Sequence, residues 1–159
     1  MNSVNDLLSA QDEYPSHKVD FVLWPRMWQT YRTSLGLSWH LCQLSSNNRN
    51  GIPSCSGIYT FLVQPMLFDH PACSYLMYVG QSSNLNRRFG EYLTTEKRIS
   101  GRPKIFRMLN KYPDNLWFCY TSVPQNELSS VEDRLTAAYM PPFNDQFPAE
   151  VRRIVGAFR

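Results

Sequence analysis

Two stretches of the chain, SGIYTFLVQ at residues 56–64 and YLMYVGQSSNLNRRFGEY at residues 75–92, decide how it folds. Both begin with aliphatic and aromatic residues that favour a β-strand, and each strand carries a tyrosine close to a glycine. The second stretch continues with apolar residues four positions apart, which predicts a helix. We therefore expect an antiparallel hairpin that leads into a helix, with Tyr59 and Tyr78 on one face of the hairpin.

Beyond the hairpin, the patterns predict two further helices and one further strand. Residues 103–111 have an apolar and a basic face at helical spacing, residues 115–123 (NLWFCYTSV) are typical of a strand, and residues 126–140 predict a last helix. Ser82 or Ser83 can cap the first helix. A small antiparallel sheet with segregated helices belongs to the α+β class, and we expect a sheet of three strands.

The composition indicates a globular chain with a basic centre. The 159 residues are 43% hydrophobic and 18% charged, which supplies enough apolar material for a core. The net charge is only +3, but eight Arg and Lys accompany two Glu between residues 84 and 111. Such a block is either a surface for a polyanion or a solvated helix face, and charge alone leaves both interpretations open.

Several features are not expected in this chain. The cysteines and histidines lack metal-ligand spacing, so a structural zinc site is not predicted. No run of about 18 apolar residues is present, which argues against a membrane span. The N-terminus is polar and acidic, unlike a signal peptide. We expect a cytoplasmic protein with reduced thiols and no membrane partner.

The chain divides into three parts that differ in amino-acid composition. Residues 1–50 are an aromatic-rich N-terminal extension that runs into the turn-forming linker SSNNRNGIPS at residues 45–54. Residues 51–147 form the main domain, and residues 148–159 are a C-terminal tail. The extension could pack against the domain or offer a base-stacking surface; we favour packing, because basic residues are not interleaved with its aromatic rings.

Five side chains supply the chemistry of phosphodiester hydrolysis. A carboxylate such as Glu132 holds an oxygen-preferring ion such as Mg²⁺. A guanidinium such as Arg88 stabilises charge on a phosphate. A phenol such as Tyr59 can position or deprotonate water. Tyr78 lies on the strand beside it, and Asn144 follows the Pro-Pro sequence after the last helix.

The arrangement of these residues resembles the GIY-YIG nuclease family. Gly57-Ile58-Tyr59 matches the first half of the name motif, and Tyr78-Val79-Gly80 matches the second half with Val in place of Ile. Arg88, Glu132 and the closing PPFN with Asn144 follow in the family's order. The resemblance covers about residues 51–146 and implies a GIY-YIG-like fold, a three-stranded antiparallel sheet flanked by helices.

The resemblance also implies roles for individual residues. Tyr59 would activate water with support from Tyr78, Arg88 would hold the scissile phosphate, and Asn144 would anchor the site. Glu132 would be the sole protein ligand of Mg²⁺ or Mn²⁺, and Tyr92 matches a family position near the leaving group. The implied activity is a metal-dependent DNA endonuclease whose phosphate contacts we assign to the basic residues Arg87, Arg88, Lys104, Arg107 and Lys111.

Several alternatives remain open at this point. Ser129 and Glu132 also form a capping-box pattern, which would make Glu132 a helix-start residue. Two departures from the family are the long connection at residues 64–74 and Gln81, which stands where repair-type members often carry Lys. The chain could be a catalytically inactive nucleic-acid-binding module or a subunit of a larger nuclease assembly, and a homodimer is also open.

Overall fold

The computed structural model describes residues 18–32, 36–67, 70, 73–94 and 103–157. This part of the chain contains a four-stranded sheet in the order β1-β4-β2-β3, with every neighbouring pair antiparallel. Its strands are β1 His40–Gln43, β2 Gly57–Val63, β3 Tyr75–Ser82 and β4 Leu116–Ser122. The described helices include none long and apolar enough to cross a bilayer.

The sheet has four strands, so the expectation of three was wrong. The additional strand, β1, comes from the segment expected to be an extension, and its His40 lies opposite Tyr120 of β4. The outer residues His40 and Leu41 are exposed at the sheet edge. A short edge strand of this kind has no alternation of apolar and polar residues, so the sequence does not reveal it.

The α-helices of the described residues are α1 Pro25–Tyr31, α2 Leu85–Leu93, α3 Pro103–Lys111, α4 Leu128–Tyr139 and α5 Ala149–Ala157. The predicted hairpin, its following helix and the bounds of α3 are confirmed. The cap of α2 is Asn84 rather than Ser82 or Ser83: its side chain accepts a hydrogen bond from the Arg87 amide at 2.8 Å. Residues 148–159, expected to be a tail, contain α5, which buries Val151 and Val155.

Helices cover both faces of the sheet. On one face, α2 and α3 bury Phe89 and Met108 against Phe61 and Phe118 of the central strands. On the other face, α4 packs on the neighbouring side chains of β2 and β3, a cluster formed by Ile58, Val79, Val131 and Leu135. Because β3 lies at an edge, one of its sides has no strand partner among the described residues.

The segment after α4 runs along the free edge of β3. Helix α4 is followed by its C-cap residue Met140, whose left-handed backbone (φ 44°) turns the chain. The Met140 amide donates a hydrogen bond to the Thr136 carbonyl at 2.9 Å. The Phe143 amide then donates to the Met77 carbonyl at 3.0 Å. We call residues 140–148, between α4 and α5, the strapping segment. It supplies hydrogen-bond partners to part of the exposed edge of β3. A third cluster, with Met27 of α1, Ala137 of α4 and Val151 of α5, joins these helices.

Candidate active site

Two glycines of the motif strands are required by close packing. A Cβ on Gly57 would lie 2.6 Å from Leu85 Cδ1 and would also strike a backbone carbonyl of β4. A Cβ on Gly80 would lie 2.7 Å from the Tyr59 hydroxyl oxygen and 2.7 Å from Tyr78 Cε1. Gly57 therefore admits the start of α2 against the strand, and Gly80 makes room for the two motif tyrosines.

The two tyrosines share one face of the hairpin, as predicted. Tyr59 lies opposite Gly80, and Tyr78 lies opposite Phe61 two residues along. The Tyr59 ring stacks on Phe118 at a centroid distance of 5.1 Å and lies 6.1 Å from the Tyr78 ring. These contacts hold the Tyr59 phenol in one orientation.

The Tyr59 hydroxyl is paired with a phenol of α2. Its oxygen lies 2.7 Å from the Tyr92 oxygen, and either group can be the donor. Only 2% of Tyr59 is exposed. Burial raises the pKa of Tyr59 well above 10.0, the neighbouring phenols Tyr92 and Tyr78 raise it further, and the charge of Arg88 opposes them. Tyr59 is therefore a protonated phenol at neutral pH.

Arg88 points from α2 towards the same phenols. Its Nη1 donates to Glu91 Oε2 at 2.8 Å. Its Nε is buried and has no hydrogen-bond partner among the described residues. Burial lowers the pKa of the Arg88 guanidinium, but Tyr59, Tyr92 and Glu91 together raise it further, so the net direction is upward. Arg88 is a permanent cation with one donor that the described residues do not satisfy.

Glu91 is a site residue that sequence reasoning missed. It also accepts a hydrogen bond from Arg87, so one carboxylate holds two guanidinium groups. The spacings of i,i+4 for Arg87 and i,i+3 for Arg88 are those of stabilising ion pairs on a helix. This spacing was the available signal in the sequence.

Glu132 lies in the second turn of α4, and its side chain is half-buried. Gln81 Nε2 of β3 donates to Glu132 Oε2 at 2.7 Å and reaches Ser129 Oγ at 3.4 Å. The capping-box alternative does not occur, because α4 already begins at Leu128 and its N-cap residue is Glu127. A short 3₁₀ turn, Gln125–Glu127, precedes the helix and moves its start ahead of Ser129.

Asn144 fastens the strapping segment to β3. Its Oδ1 accepts from the Val79 amide at 3.0 Å, and its Nδ2 donates to the Val79 carbonyl at 2.8 Å. The side chain therefore replaces a missing strand partner at the sheet edge while being buried. This pairing sets the position of the whole segment relative to the motif strand.

These residues meet in one cleft of about 1150 Å³ beside β3. All six predicted catalytic residues line it: Tyr59, Tyr78, Arg88, Tyr92, Glu132 and Asn144. The cleft also contains Glu91, Asp133 and Arg152, of which Arg152 lies in the segment expected to be a tail. Arg152 donates to the Phe147 carbonyl through Nε at 3.3 Å, which turns its guanidinium towards the strapping segment.

The predicted DNA contacts differ in their position relative to the cleft: Arg88 lines it, and Arg87 is joined to Arg88 through Glu91. The described residues that line the cleft do not include the other four predicted contacts, Arg87, Lys104, Arg107 and Lys111. Lys104 lies at the rim, because its Nζ contacts Asp145 at 2.7 Å and Asp145 does line the cleft. The other members of the basic block, Lys97, Arg98 and Arg102, lie outside the described residues.

The residues present fit a singly liganded magnesium ion. No group of three or more His, Cys, Asp or Glu that could enclose a metal occurs in the part of the chain that the structure describes. Mg²⁺ does not need such a cage, since it commonly keeps several waters and binds one or two carboxylates together with substrate phosphates. Glu132 lines the cleft, accepts a hydrogen bond from Gln81, and has the chemistry that such an ion binds.

Comparison with known proteins yields structural neighbours only, since no family model and no curated protein matches the chain. The neighbours are crystal structures of the GIY-YIG N-terminal endonuclease domain of UvrC from Thermotoga maritima. A form bound to magnesium is 19% identical, with a TM-score of 0.44, and the match covers 62% of this chain and 92% of that one. A point mutant bound to its catalytic divalent cation is 18% identical, with a TM-score of 0.45 and coverage of 63% and 93%. They belong to the family that the sequence motifs resemble.

Proposed function

We propose that this chain is a metal-dependent DNA endonuclease and that the cleft beside β3 is its active site. One observation carries the proposal: a single cleft brings a fixed guanidinium, a pair of hydrogen-bonded phenols and an oriented carboxylate together. Asn144 ties the segment that closes this cleft to the strand that carries Tyr78. Together these groups can hold a phosphate, position the attacking water and bind a metal ion, which are the tasks of phosphodiester hydrolysis.

Arg88 is proposed to bind the scissile phosphate. A buried donor without a partner costs about 1–3 kcal/mol, and a phosphate oxygen at Arg88 Nε would remove that cost. Guanidinium groups bind phosphate through paired hydrogen bonds, which also fixes the orientation of the phosphate. Glu91 holds the other side of the guanidinium, so the group is aimed before the substrate arrives.

Tyr59 is proposed to position the attacking water and to pass on its proton. Because its pKa is raised, Tyr59 acts as a hydroxyl and not as a standing phenolate. As the water proton moves to the Tyr59 oxygen, the Tyr59 proton can move along the 2.7 Å hydrogen bond to the Tyr92 oxygen. Tyr92 lies on α2 with Arg88, and we assign it the proton delivered towards the leaving group.

Glu132 is proposed to hold the Mg²⁺ or Mn²⁺ ion. When bound, such an ion supplies a Lewis acid for the phosphate oxygens. Gln81 keeps one carboxylate oxygen in place, so the direction of Glu132 does not depend on the metal. The described cysteines are all free thiols, which is consistent with the reducing cytoplasm where we propose that the enzyme acts.

A plasmid assay tests the proposed function. Purified protein is incubated with supercoiled DNA in Mg²⁺, in Mn²⁺ or in EDTA, and nicked and linear products are separated on a gel. We expect cleavage with either metal and none in EDTA. Arg88→Lys should lose most activity, whereas Arg87→Lys, on the exposed side of the same helix, should retain it.

The rival functions give different results in the same assay. The wild-type protein could bind DNA without metal and nick it under none of these conditions. That result would show a binding module and contradict the proposal. Equal activity of the Arg88 and Arg87 variants would place the phosphate elsewhere.

A further inference from the structure

A second concave surface lies on another side of α4. This aromatic groove, of about 530 Å³, is lined by Trp28, Arg32, Leu37, Trp39, Leu135 and Tyr139, among others. Trp28 is 40% exposed, Trp39 39% and Tyr139 48%. Three large rings therefore keep a substantial part of their surface in water at one place.

The exposed rings are not what attaches α1 to the domain. Met27, on the opposite side of α1 from the groove, is buried with Ala137 and Phe147. The Tyr31 hydroxyl donates to Glu150 Oε1 of α5 at 2.6 Å. Because these contacts fix the helix, Trp28 is presented on a rigid support without being needed for packing. Rigid aromatic rings on a fixed helix lose little entropy on binding a partner.

Two arginines and one carboxylate lie at or beside the groove. Arg32 is part of its lining. The hydrogen bond to Glu150 raises the pKa of the Tyr31 phenol, which also lines the groove, and the charge of nearby Arg134 opposes that shift. Neither arginine forms an ion pair with a described residue. No carboxylate is present among the described residues that line the groove. A purely apolar partner would gain nothing from these guanidinium groups, whereas a polyanion with flat rings would use both the arginines and the exposed aromatic rings.

The groove is also next to the proposed active site. Glu132 and Thr136 of α4 line the cleft, while Leu135 and Tyr139 of the same helix line the groove. Two faces of one helix are separated by about 10 Å, the helix diameter. A nucleic-acid strand that leaves the cleft can therefore reach the groove within a few nucleotides.

We propose that the aromatic groove binds an unpaired stretch of the DNA substrate beside the scissile phosphate. Bases stack on Trp28 and Trp39, and Arg32 and Arg134 contact the flanking phosphates. This inference rests on the proposed function for its substrate. It implies that the preferred substrate contains single-stranded DNA next to the cut. It also favours, for the exposed N-terminal aromatic residues, the base-stacking alternative over the packing role that the sequence favoured.

Binding of a fluorescently labelled oligothymidine 12-mer to the full chain tests the groove. The titration is done in EDTA and followed by anisotropy. Each stacked base contributes about 1–3 kcal/mol and tenfold in affinity is about 1.4 kcal/mol, so Trp28→Leu/Trp39→Leu should weaken binding at least tenfold. Trp28→Phe/Trp39→Phe keeps a ring at each position and should lose less than threefold. Trp117→Phe, on β4 away from the groove, is the matched control and should bind like wild type.

Two further arms make the result decisive. Arg32→Glu/Arg134→Glu should weaken oligothymidine binding about tenfold or more and confirm the groove independently if the tryptophan variants melt early. Fully paired duplex of the same length should respond less than threefold to either change. Wild-type oligothymidine affinity in both the Leu and Glu variants overturns the inference, and so does equal loss for duplex. Since the titration contains no metal, its outcome is independent of whether the plasmid is cleaved.

Discussion

Gly80 decides whether the two motif tyrosines can coexist. A methyl group there would meet the Tyr59 hydroxyl and the Tyr78 ring at 2.7 Å, and both rings are buried against the phenylalanines Phe118 and Phe61. We expect Gly80→Ala to lower the free energy of unfolding by about 1–3 kcal/mol, the usual cost of overpacking, and to lower cleavage by displacing Tyr59. Denaturant titration and plasmid cleavage measure the two effects. Gly156→Ala, where nothing lies within 4 Å, is the control and should stabilise α5 slightly. A fully stable and active Gly80 variant would contradict the crowded site.

The raised pKa of Tyr59 predicts the shape of the pH profile. A phenol whose pKa lies well above 10.0 stays protonated from pH 6 to 9, so its own ionisation should not appear in that range. We expect Tyr59→Phe to lower the cleavage rate about 10²- to 10⁴-fold, the usual contribution of proton transfer, with a pH profile parallel to wild type. If Tyr59 worked as a phenolate, the wild-type rate would rise tenfold per pH unit relative to the Phe variant. Single-turnover rates at four pH values distinguish the two.

At the level of elements, helix α3 carries the other basic residues that we propose contact DNA phosphates. Lys104, Arg107 and Lys111 share its outward side, while Ile105 and Met108 are buried beneath. Changing all three basic residues to Ala should flatten the plot of log affinity against log salt by roughly two to three units, at about 0.9 per lost contact. Arg153→Ala, an exposed change on α5, should leave the slope unaltered. A wild-type slope for the triple variant would show that the face meets only solvent.

Elements with their own periodic pattern could be predicted from the sequence, and elements defined by their surroundings could not. Helix α3 has apolar residues on one side and basic residues on the other, so its bounds follow from the sequence. Strand β1 lies at an edge with its outer residues exposed, and only pairing with β4 makes it a strand. Helix α5 is ordered by packing of Val151 and Val155 against α4 and α1, contacts distant in sequence.

The candidate site follows the same rule. Tyr59, Tyr78 and Arg88 lie within one hairpin-helix unit, and local register places them together. The pairing of Gln81 with Glu132 and the clamp of Asn144 on Val79 join segments about fifty and sixty-five residues apart. Such contacts depend on the tertiary path of the chain, so the sequence indicated the residues but not their partners. Arg152 was missed because no motif marks it. The sequence indicated the aromatic residues of the N-terminal segment but not the groove they form with α4, which depends on tertiary packing.

At the scale of the whole molecule, helix α1 of the N-terminal segment packs on helices α4 and α5. Met27 fills the cluster between α4 and α5, where only 6% of it is exposed. We expect Met27→Ala to lower the free energy of unfolding by about 2–5 kcal/mol while the cleavage rate of the folded protein is retained. Leu23→Ala, at an exposed position, should change stability by less than about 0.5 kcal/mol. Equal stability of the two variants would show that α1 is a dispensable attachment.

The most direct test of the central claim is single-turnover DNA cleavage in Mg²⁺ by Glu132→Gln beside Asp133→Asn. Both changes remove one carboxylate from the same helix and the same cleft, and both keep the size of the side chain. We predict that the Gln variant folds and binds DNA like wild type but cleaves at least ~10³-fold more slowly. This loss in rate corresponds to about 4 kcal/mol of transition-state stabilisation. The Asn variant should stay within about tenfold of wild type. A Glu132→Gln protein that cuts DNA at the wild-type rate would contradict the assignment of Glu132 as the metal ligand.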